Sequence, residues 1–308
     1  MKKTVEPAPL IREFFLPVGS GHEIHVEEAG NPAGIPVIFL HGGPGGHIEP
    51  ICRTFFDPEK YRVILFDQRG CGKSRPFLSV EDNTPFESVK DMEAIRTELG
   101  IESWLVFGGS YGSTLALTYA IAHPYRVRHL VLRGVFLARK WEIDWLYRGG
   151  AGAFFPDQYR TFASFVEEGQ DPIVGYHQAL TGEDQALRDE ACRRWAKWED
   201  SLVSMQPNFP DPKSLTDGER SIAVMENHYF FHHTFFPSDN YLLDASPMYR
   251  DIPMDIVQGR YDMICPPTGA IDLARHCPKA RLHLVEGGGH TPYEEAMFGE
   301  LRGVMDRI

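Results

Sequence analysis

Short apolar runs alternate with stretches of helical periodicity along most of this chain. Runs rich in β-branched and aromatic residues predict buried strands at Pro36–Leu40, Tyr61–Phe66, Ser103–Gly108 and Val127–Arg133. Between them, Glu87–Leu99 has apolar side chains at helical spacing, and Ser113–His123 is rich in Ala and Leu. Because strands that alternate with helices pair in parallel, the pattern predicts a mostly parallel sheet with helices on both faces.

The alternation has two exceptions. Near the start, Arg12–Val18 and His22–Glu28 flank Gly19-Ser20-Gly21, which indicates a hairpin. After Gly134 the strand signals stop, and residues 138–245 are mainly helical stretches rich in Trp, Arg and Glu. The pattern then resumes, with strands predicted at Asp255–Gly259 and Ala280–Val285 and helices at Pro267–His276 and Tyr293–Met305.

This pattern predicts an α/β core interrupted by a helical cap. The first part of the core is residues 1–137, the cap is 138–245, and the second part is 246–308. Ligands of such sheets bind over the carboxyl ends of the strands, so we expect the cap to lie there as a lid.

Composition narrows the classes of function. The formal net charge of −12 argues against nucleic acid or an anionic membrane as a partner. No apolar run approaches the roughly 18 residues of a membrane span, and the N-terminal segment lacks the apolar stretch of a signal peptide. Five scattered cysteines without a C-x-x-C pair favour free thiols in a reducing cytoplasm.

The segment Gly108–Gly112 reads G-x-S-x-G between a predicted strand and a predicted helix. A serine on such a tight turn has its hydroxyl above the sheet edge, and small neighbours relieve the crowding. Ser110 is therefore a candidate nucleophile. The same five letters also occur in ordinary glycine-rich turns.

A nucleophilic serine needs a base, and the base needs an orienting carboxylate. Asp262 and His290 follow the last two predicted strands in the order Ser, Asp, His, so all three would meet at one rim. Either residue alone could be an ordinary loop residue. For the oxyanion, the glycine-rich turn after Leu40 offers the amide of Gly43, to be paired with the amide of Tyr111.

With these motifs in view, the chain resembles the prolyl aminopeptidase (proline iminopeptidase) family of serine peptidases. The resemblance implies an α/β-hydrolase fold with a helical cap, release of an N-terminal proline from small peptides, and no cofactor. The shared stretches are HGGPGG (His41–Gly46), DQRGCGKS (Asp67–Ser74), GGSYGSTLAL (Gly108–Leu117), HP and LVLRG (within His123–Gly134), WE (Trp198–Glu199), ENHYF (Glu226–Phe230), GRYDMICP (Gly259–Pro266) and GGGH (Gly287–His290).

The resemblance also implies roles for residues of the cap and the pocket. Glu199 and Glu226 correspond to residues that bind the free amino end of the substrate, although a Glu in a helix is more often simply solvated. The positions that match the lining of the proline pocket are Phe136, Tyr147, Phe230 and Cys265.

The chain departs from the family pattern at two positions. Tyr111 replaces the usual Trp after the nucleophile, and Thr291 replaces the usual Ser after the base. His228 and His232 have a metal-like i, i+4 spacing but no clear third ligand, so we predict no metal site.

Two other functions remain open from the sequence. The same scaffold could serve a general carboxylesterase or amidase in which the two glutamates play no part. It could also belong to a catalytically silent binding protein, although the complete set of Ser110, Asp262 and His290 argues against that. The sequence leaves the oligomeric state undetermined.

Overall fold

A computed structural model describes residues 5–206 and 215–308. Within them, eight strands form one sheet in the order β1-β2-β4-β3-β5-β6-β7-β8. No helix in the described part of the chain is long and apolar enough to cross a membrane. The strands are β1 (Leu10–Pro17), β2 (Glu23–Gly30), β3 (Ile35–Leu40), β4 (Tyr61–Phe66), β5 (Trp104–Gly109), β6 (Val127–Arg133), β7 (Met254–Gly259) and β8 (Ala280–Val285).

The sheet is parallel except at one edge. Strands β1 and β2 form the predicted hairpin, and β2 pairs antiparallel with β4, while every other pairing is parallel. Strand β3 lies between β4 and β5, so the strand order reverses direction there. Such a reversal opens a crevice at the carboxyl ends of the strands, which is where α/β sheets bind ligands.

Helices cover both faces of the sheet. One face packs on the helices Pro85–Glu98 and Tyr111–Ala122 and on helices that lie between β6 and β7 in the sequence, and the other packs on the helix Glu295–Arg307 and the turn Pro50–Phe55. The helices are α1 (Pro85–Glu98), α2 (Tyr111–Ala122), α3 (Lys140–Tyr147), α4 (Pro156–Ala163), α5 (Pro172–Thr181), α6 (Gln185–Val203), α7 (Asp217–Phe231), α8 (Tyr241–Asp244), α9 (Pro267–His276) and α10 (Glu295–Arg307).

The α/β-hydrolase fold predicted from the sequence is confirmed, with small shifts in element bounds. Helix α2 begins at Tyr111 rather than Ser113, because the chain turns into the helix directly after Ser110. Helix α10 begins at Glu295 rather than Tyr293, because the chain leaving Pro292 forms a turn first.

Helices α3 to α8 form the insert between β6 and β7. Helices α5, α6 and α7 begin at side-chain caps that satisfy free backbone N–H groups. The carboxylate of Asp184 accepts from two amides at the start of α6, and Thr216 and Glu219 form a reciprocal capping box at the start of α7. Helices α6 and α7 pack on each other and carry Glu199 and Glu226, respectively.

The first prediction concerns Gly112, where β3 and α2 approach most closely. A Cβ there would lie 2.3 Å from the carbonyl oxygen of Leu40, which is backbone and cannot rotate away. We expect Gly112→Ala to lower the free energy of unfolding by roughly 2–3 kcal/mol or more. Urea denaturation would measure the change.

The matched control is Gly299→Ala in α10, where an added Cβ meets nothing within 4 Å. Ala has a higher helix propensity than Gly, so this variant should be stabilised by about 0.5–1 kcal/mol. Equal stability of the two variants would contradict the close approach of β3 and α2.

Candidate active site

Ser110 lies on a strained turn between β5 and α2. Its backbone dihedrals are φ 57° and ψ −128°, a conformation that costs a non-glycine residue about 1–3 kcal/mol. The turn is possible because its flanks are glycines: a Cβ on Gly108 would lie 2.2 Å from the carbonyl oxygen of Gly112. The geometry is that of a nucleophile elbow, with Ser110 at the carboxyl edge of the sheet.

His290 and Asp262 are paired at the same edge. His290 Nδ1 lies 3.0 and 2.9 Å from the two carboxylate oxygens of Asp262. The carboxylate is itself fixed, because it accepts hydrogen bonds from the amides of Ile264 and Cys265 at 3.0 and 2.8 Å and from Gln258 Nε2 at 3.2 Å. An immobilised carboxylate holds the imidazole in one orientation.

Arg133 contacts the other nitrogen of His290. Its Nη1 lies 3.1 Å from His290 Nε2 and 2.9 Å from the His290 carbonyl oxygen. A guanidinium can only donate, so Nε2 is the acceptor and the ring proton is on Nδ1, facing Asp262. Burial lowers the pKa of His290, and the charge of Arg133 lowers it further against the opposing effect of Asp262. The imidazole is therefore neutral, with its lone pair on Nε2.

Ser110 and His290 line the same cavity. Among the described residues, however, Arg133 rather than Ser110 makes the hydrogen bond to His290 Nε2. A serine–histidine contact is often loose before substrate binds, so this arrangement is compatible with a base that later receives the serine proton.

Sequence reasoning gave Arg133 no role. The available signal was its position: it ends β6, the strand beside β5, at the edge where Ser110 emerges. The exposed fraction of this arginine is 8%, and a charged residue is rarely buried so deeply unless it is paired.

The cavity has a volume of about 460 Å³ and lies between the sheet edge and the insert. Its wall is partly apolar and aromatic, with the rings of Phe136 and Phe230 edge to face at 5.8 Å between centroids. Of the residues predicted for the site, those that line the cavity are Gly43, Ser110, Phe136, Glu199, Glu226, Phe230, Cys265 and His290.

Two carboxyl groups meet in the wall opposite the sheet. Glu199 and Glu226 are 8% and 4% exposed, so the alternative of solvated helix residues is wrong. Tyr147 Oη lies 2.5 Å from Glu199 Oε1 and 3.0 Å from Glu226 Oε2. The Trp195 indole N–H donates to Glu226 Oε2 at 2.7 Å.

Burial and these contacts determine the ionisation of Glu199 and Glu226. Burial raises the pKa of Glu199 to about 7. Burial, and then the charge of Glu199, raise the pKa of Glu226 well above its ordinary value. The phenol of Tyr147 has one proton and can donate to only one carboxylate, so its second contact is satisfied when Glu226 is protonated. A cation placed between the two carboxylates would favour ionisation of both.

Tyr147 and Tyr111 occupy positions behind the cavity surface. The phenol of Tyr147 contacts the two carboxyl groups, and its ring lies 5.4 Å from that of Phe230. The side chain of Tyr111 is buried against Tyr229, with 5.2 Å between ring centroids, and is not part of the cavity lining.

The candidate oxyanion donors lie on two turns at the sheet edge. The amide of Tyr111 is at the first position of α2 and has no acceptor within the helix. Gly43 has φ 108°, and a Cβ there would lie 2.5 Å from the amide nitrogen of Gly45, so only glycine fits this turn.

The cavity is also linked to the insert through the loop that carries the histidine. The amide of Thr291 donates to the carbonyl oxygen of Val203 at the end of α6, at 2.9 Å. The amide of Met205 donates to Glu294 Oε1 at 2.9 Å. The loop after β8 and the helix that carries Glu199 are therefore joined directly.

Comparison with known proteins supports both fold and family. The sequence model of the alpha/beta hydrolase fold family matches residues 35–296 of this chain. The chain is 47% identical to a proline iminopeptidase of Arabidopsis thaliana, over 93% of this chain and 77% of that protein. It is 41% identical to a proline iminopeptidase of Neisseria gonorrhoeae, over 96% of each.

Comparison with solved structures supports the fold only. The crystal structure of a proline iminopeptidase from Mycobacterium smegmatis aligns with a TM-score of 0.60 at 23% identity, covering 96% of this chain and 97% of that one. That of a putative aryl esterase from Burkholderia cenocepacia aligns with a TM-score of 0.66 at 17% identity, covering 96% and 97%. Because the sequence matches extend over most of the chain at more than 40% identity, the chain belongs to the proline iminopeptidase family of α/β hydrolases.

Proposed function

We propose that this protein is a serine exopeptidase that removes an N-terminal proline from peptides through an acyl-enzyme intermediate. One observation supports this function above others: two buried carboxyl groups, Glu199 and Glu226, line the same cavity as Ser110 and His290. An ester or an internal peptide bond brings no cation to such a pair, whereas a free N-terminus does. The names of the relatives point to the same activity.

The proposed chemistry begins at Ser110. Its Oγ attacks the carbonyl carbon of the first residue and passes its proton to His290 Nε2, while Asp262 stabilises the imidazolium through Nδ1. The amides of Gly43 and Tyr111 donate to the oxyanion. His290 then protonates the departing amine, and a water attacks the acyl-enzyme by the same route and releases the amino acid.

Recognition of the first residue uses the opposite wall. An N-terminal proline is a compact apolar ring that bears a cationic secondary amine. The amine lies between Glu199 and Glu226, and the ring contacts Phe136, Phe230 and Cys265. Binding of the cation offsets the repulsion between the two buried carboxylates and favours their ionised forms.

The same wall explains the removal of a single residue. Behind the carboxyl groups lie the buried rings of Tyr147 and Trp195, stacked at 4.5 Å between centroids. No further residue of a peptide fits beyond the amine, so cleavage occurs after the first residue only. In this proposal the insert, residues 138–245, is the cap that closes the cavity.

We place the enzyme in the cytoplasm, where small peptides are its partners. All five cysteines are free and buried, which suits a reducing compartment. The net charge of −12 disfavours nucleic acid and anionic membranes as partners.

The second prediction tests the proposed amine site with Glu226→Gln. We expect kcat/KM for a prolyl arylamide to fall by an amount equivalent to about 2–5 kcal/mol, because the buried cation loses its partner. Turnover of a simple acetate ester, which has no amine, should change little. Steady-state kinetics on both substrates measure the two effects.

Glu190→Gln is the control, since Glu190 lies on the same helix as Glu199 but is only half-buried and is paired with Arg194. It should leave both substrates unaffected. Equal losses on arylamide and ester in Glu226→Gln would reject the amine site and favour the general esterase.

The third prediction concerns Arg133→Met. Loss of the positive charge beside His290 raises the pKa of the imidazole, and the base is active only when neutral. The acidic limb of the pH profile for acetate-ester hydrolysis should therefore move to higher pH.

Arg128→Met on the same strand is the matched control, because Arg128 is exposed and contacts Ser103. Its pH profile should coincide with that of the wild type. An unmoved limb in Arg133→Met would show that Arg133 does not act on the base.

A further inference from the structure

Helix α6 contributes two side chains to the acidic wall. Trp195 and Glu199 are four residues apart, so they lie on one face of the helix. Glu199 is one member of the carboxyl pair, and Trp195 contacts the other member, Glu226, which belongs to α7. Helix α6 thus carries Glu199 and, through Trp195, donates a hydrogen bond to Glu226.

The orientation of Trp195 is fixed by aromatic neighbours. Its ring stacks on Tyr147 and makes edge-to-face contacts with Phe162 at 5.7 Å and Tyr176 at 5.2 Å between centroids. The side chain is fully buried. A ring packed in this way cannot turn, so its N–H has a fixed direction.

That N–H is directed at a carboxylate oxygen. A buried indole requires an acceptor, and a bond to an ionised carboxylate is about twice as strong as one between neutral groups. Trp198, one turn further along α6, provides a contrast, since its N–H donates to the carbonyl oxygen of Leu146 at 3.0 Å. Both indoles are buried, but only that of Trp195 contacts the acidic pair.

We propose that Trp195 is a positioning residue for substrate recognition: its indole N–H fixes the Glu226 carboxylate in the orientation that receives the N-terminal amine and favours its ionised form. This inference rests on the proposed function and extends it to a residue outside the cavity surface. The hydrogen bond from Trp195 opposes the rise in the pKa of Glu226 that burial and Glu199 cause.

The charged surroundings of Glu226 must be taken together. Helix α6 presents Glu199 and Asp200, whose charges raise the pKa of Glu226, and α3 presents the Tyr147 phenol, which lowers it. His290 and Arg133 line the sheet side of the same cavity. Because most of these groups disfavour the ionised form of Glu226, loss of the Trp195 N–H donor favours its protonated form.

The fourth prediction compares Trp195→Phe with Trp198→Phe. In Trp195→Phe we expect KM for a prolyl arylamide near neutral pH to rise roughly tenfold to a hundredfold with kcat little changed, since a hydrogen bond to a charged group is lost. The ratio of variant to wild-type kcat/KM should recover as the pH is raised, because Glu226 then ionises in the variant as well. Acetate-ester hydrolysis should be unaffected.

Trp198→Phe makes the same indole-to-phenyl change on the same helix, and the pH profile of this variant should match that of the wild type. Should Trp195→Phe fail to fold, incorporation of benzothienylalanine at position 195 keeps the ring shape and removes only the N–H. A profile for either Trp195 variant that coincides with that of Trp198→Phe would overturn the inference. Failure of the wild type to cleave the prolyl arylamide at all would instead overturn the proposed function.

Discussion

Two carboxyl groups buried side by side, without a cation of their own, are the constraint on which this active site depends. Within residues 5–206 and 215–308, the groups that hydrogen-bond to Glu199 and Glu226 are a phenol and an indole, both neutral. Transfer of an ion from water to a protein interior costs several kcal/mol, so burial favours partial protonation of the pair. In our account the substrate supplies the missing positive charge, and recognition depends on charge neutralisation as much as on the fit of the ring.

The sheet brings the other half of the site to this pair. Four neighbouring strands, β5 to β8, end at one edge and deliver Ser110, Arg133, Asp262 and His290 in turn. The close packing of β3 on α2 fixes the strained turn at Ser110, and the bond from Thr291 to Val203 joins the histidine loop to α6. The proposed nucleophile, the proposed base and the two buried carboxyl groups are thus parts of one packed unit, which suits a reaction that needs fixed distances between amine and carbonyl.

The parts of this structure that follow from local pattern could be predicted from the sequence. The strands and the positions of Ser110, Asp262 and His290 belong to this group, because strand ends and glycine turns are encoded by neighbouring residues. The parts that depend on packing between distant segments could not be predicted. The contacts of Tyr147 and Trp195 with Glu226 join three helices of the insert. The contact of Arg133 with His290 joins the end of β6 to the loop after β8, and the insert separates these two segments in the sequence. The roles of Glu199 and Glu226 came from family resemblance, since nothing in their local sequence distinguishes them from solvated residues.

The most direct test of the account is the kinetics of two substrates that differ only in the ammonium group of the ring. One is the arylamide of proline, and the other is the arylamide of tetrahydrofuran-2-carboxylic acid, in which a neutral ether oxygen replaces the secondary ammonium, so that the positive charge and its two N–H donors are removed together. If the buried carboxyl pair receives a cation, kcat/KM for the proline compound should exceed that for the neutral one by about a hundredfold or more. Similar values for the two compounds would contradict the account, because the cavity would then select the ring and not its charge.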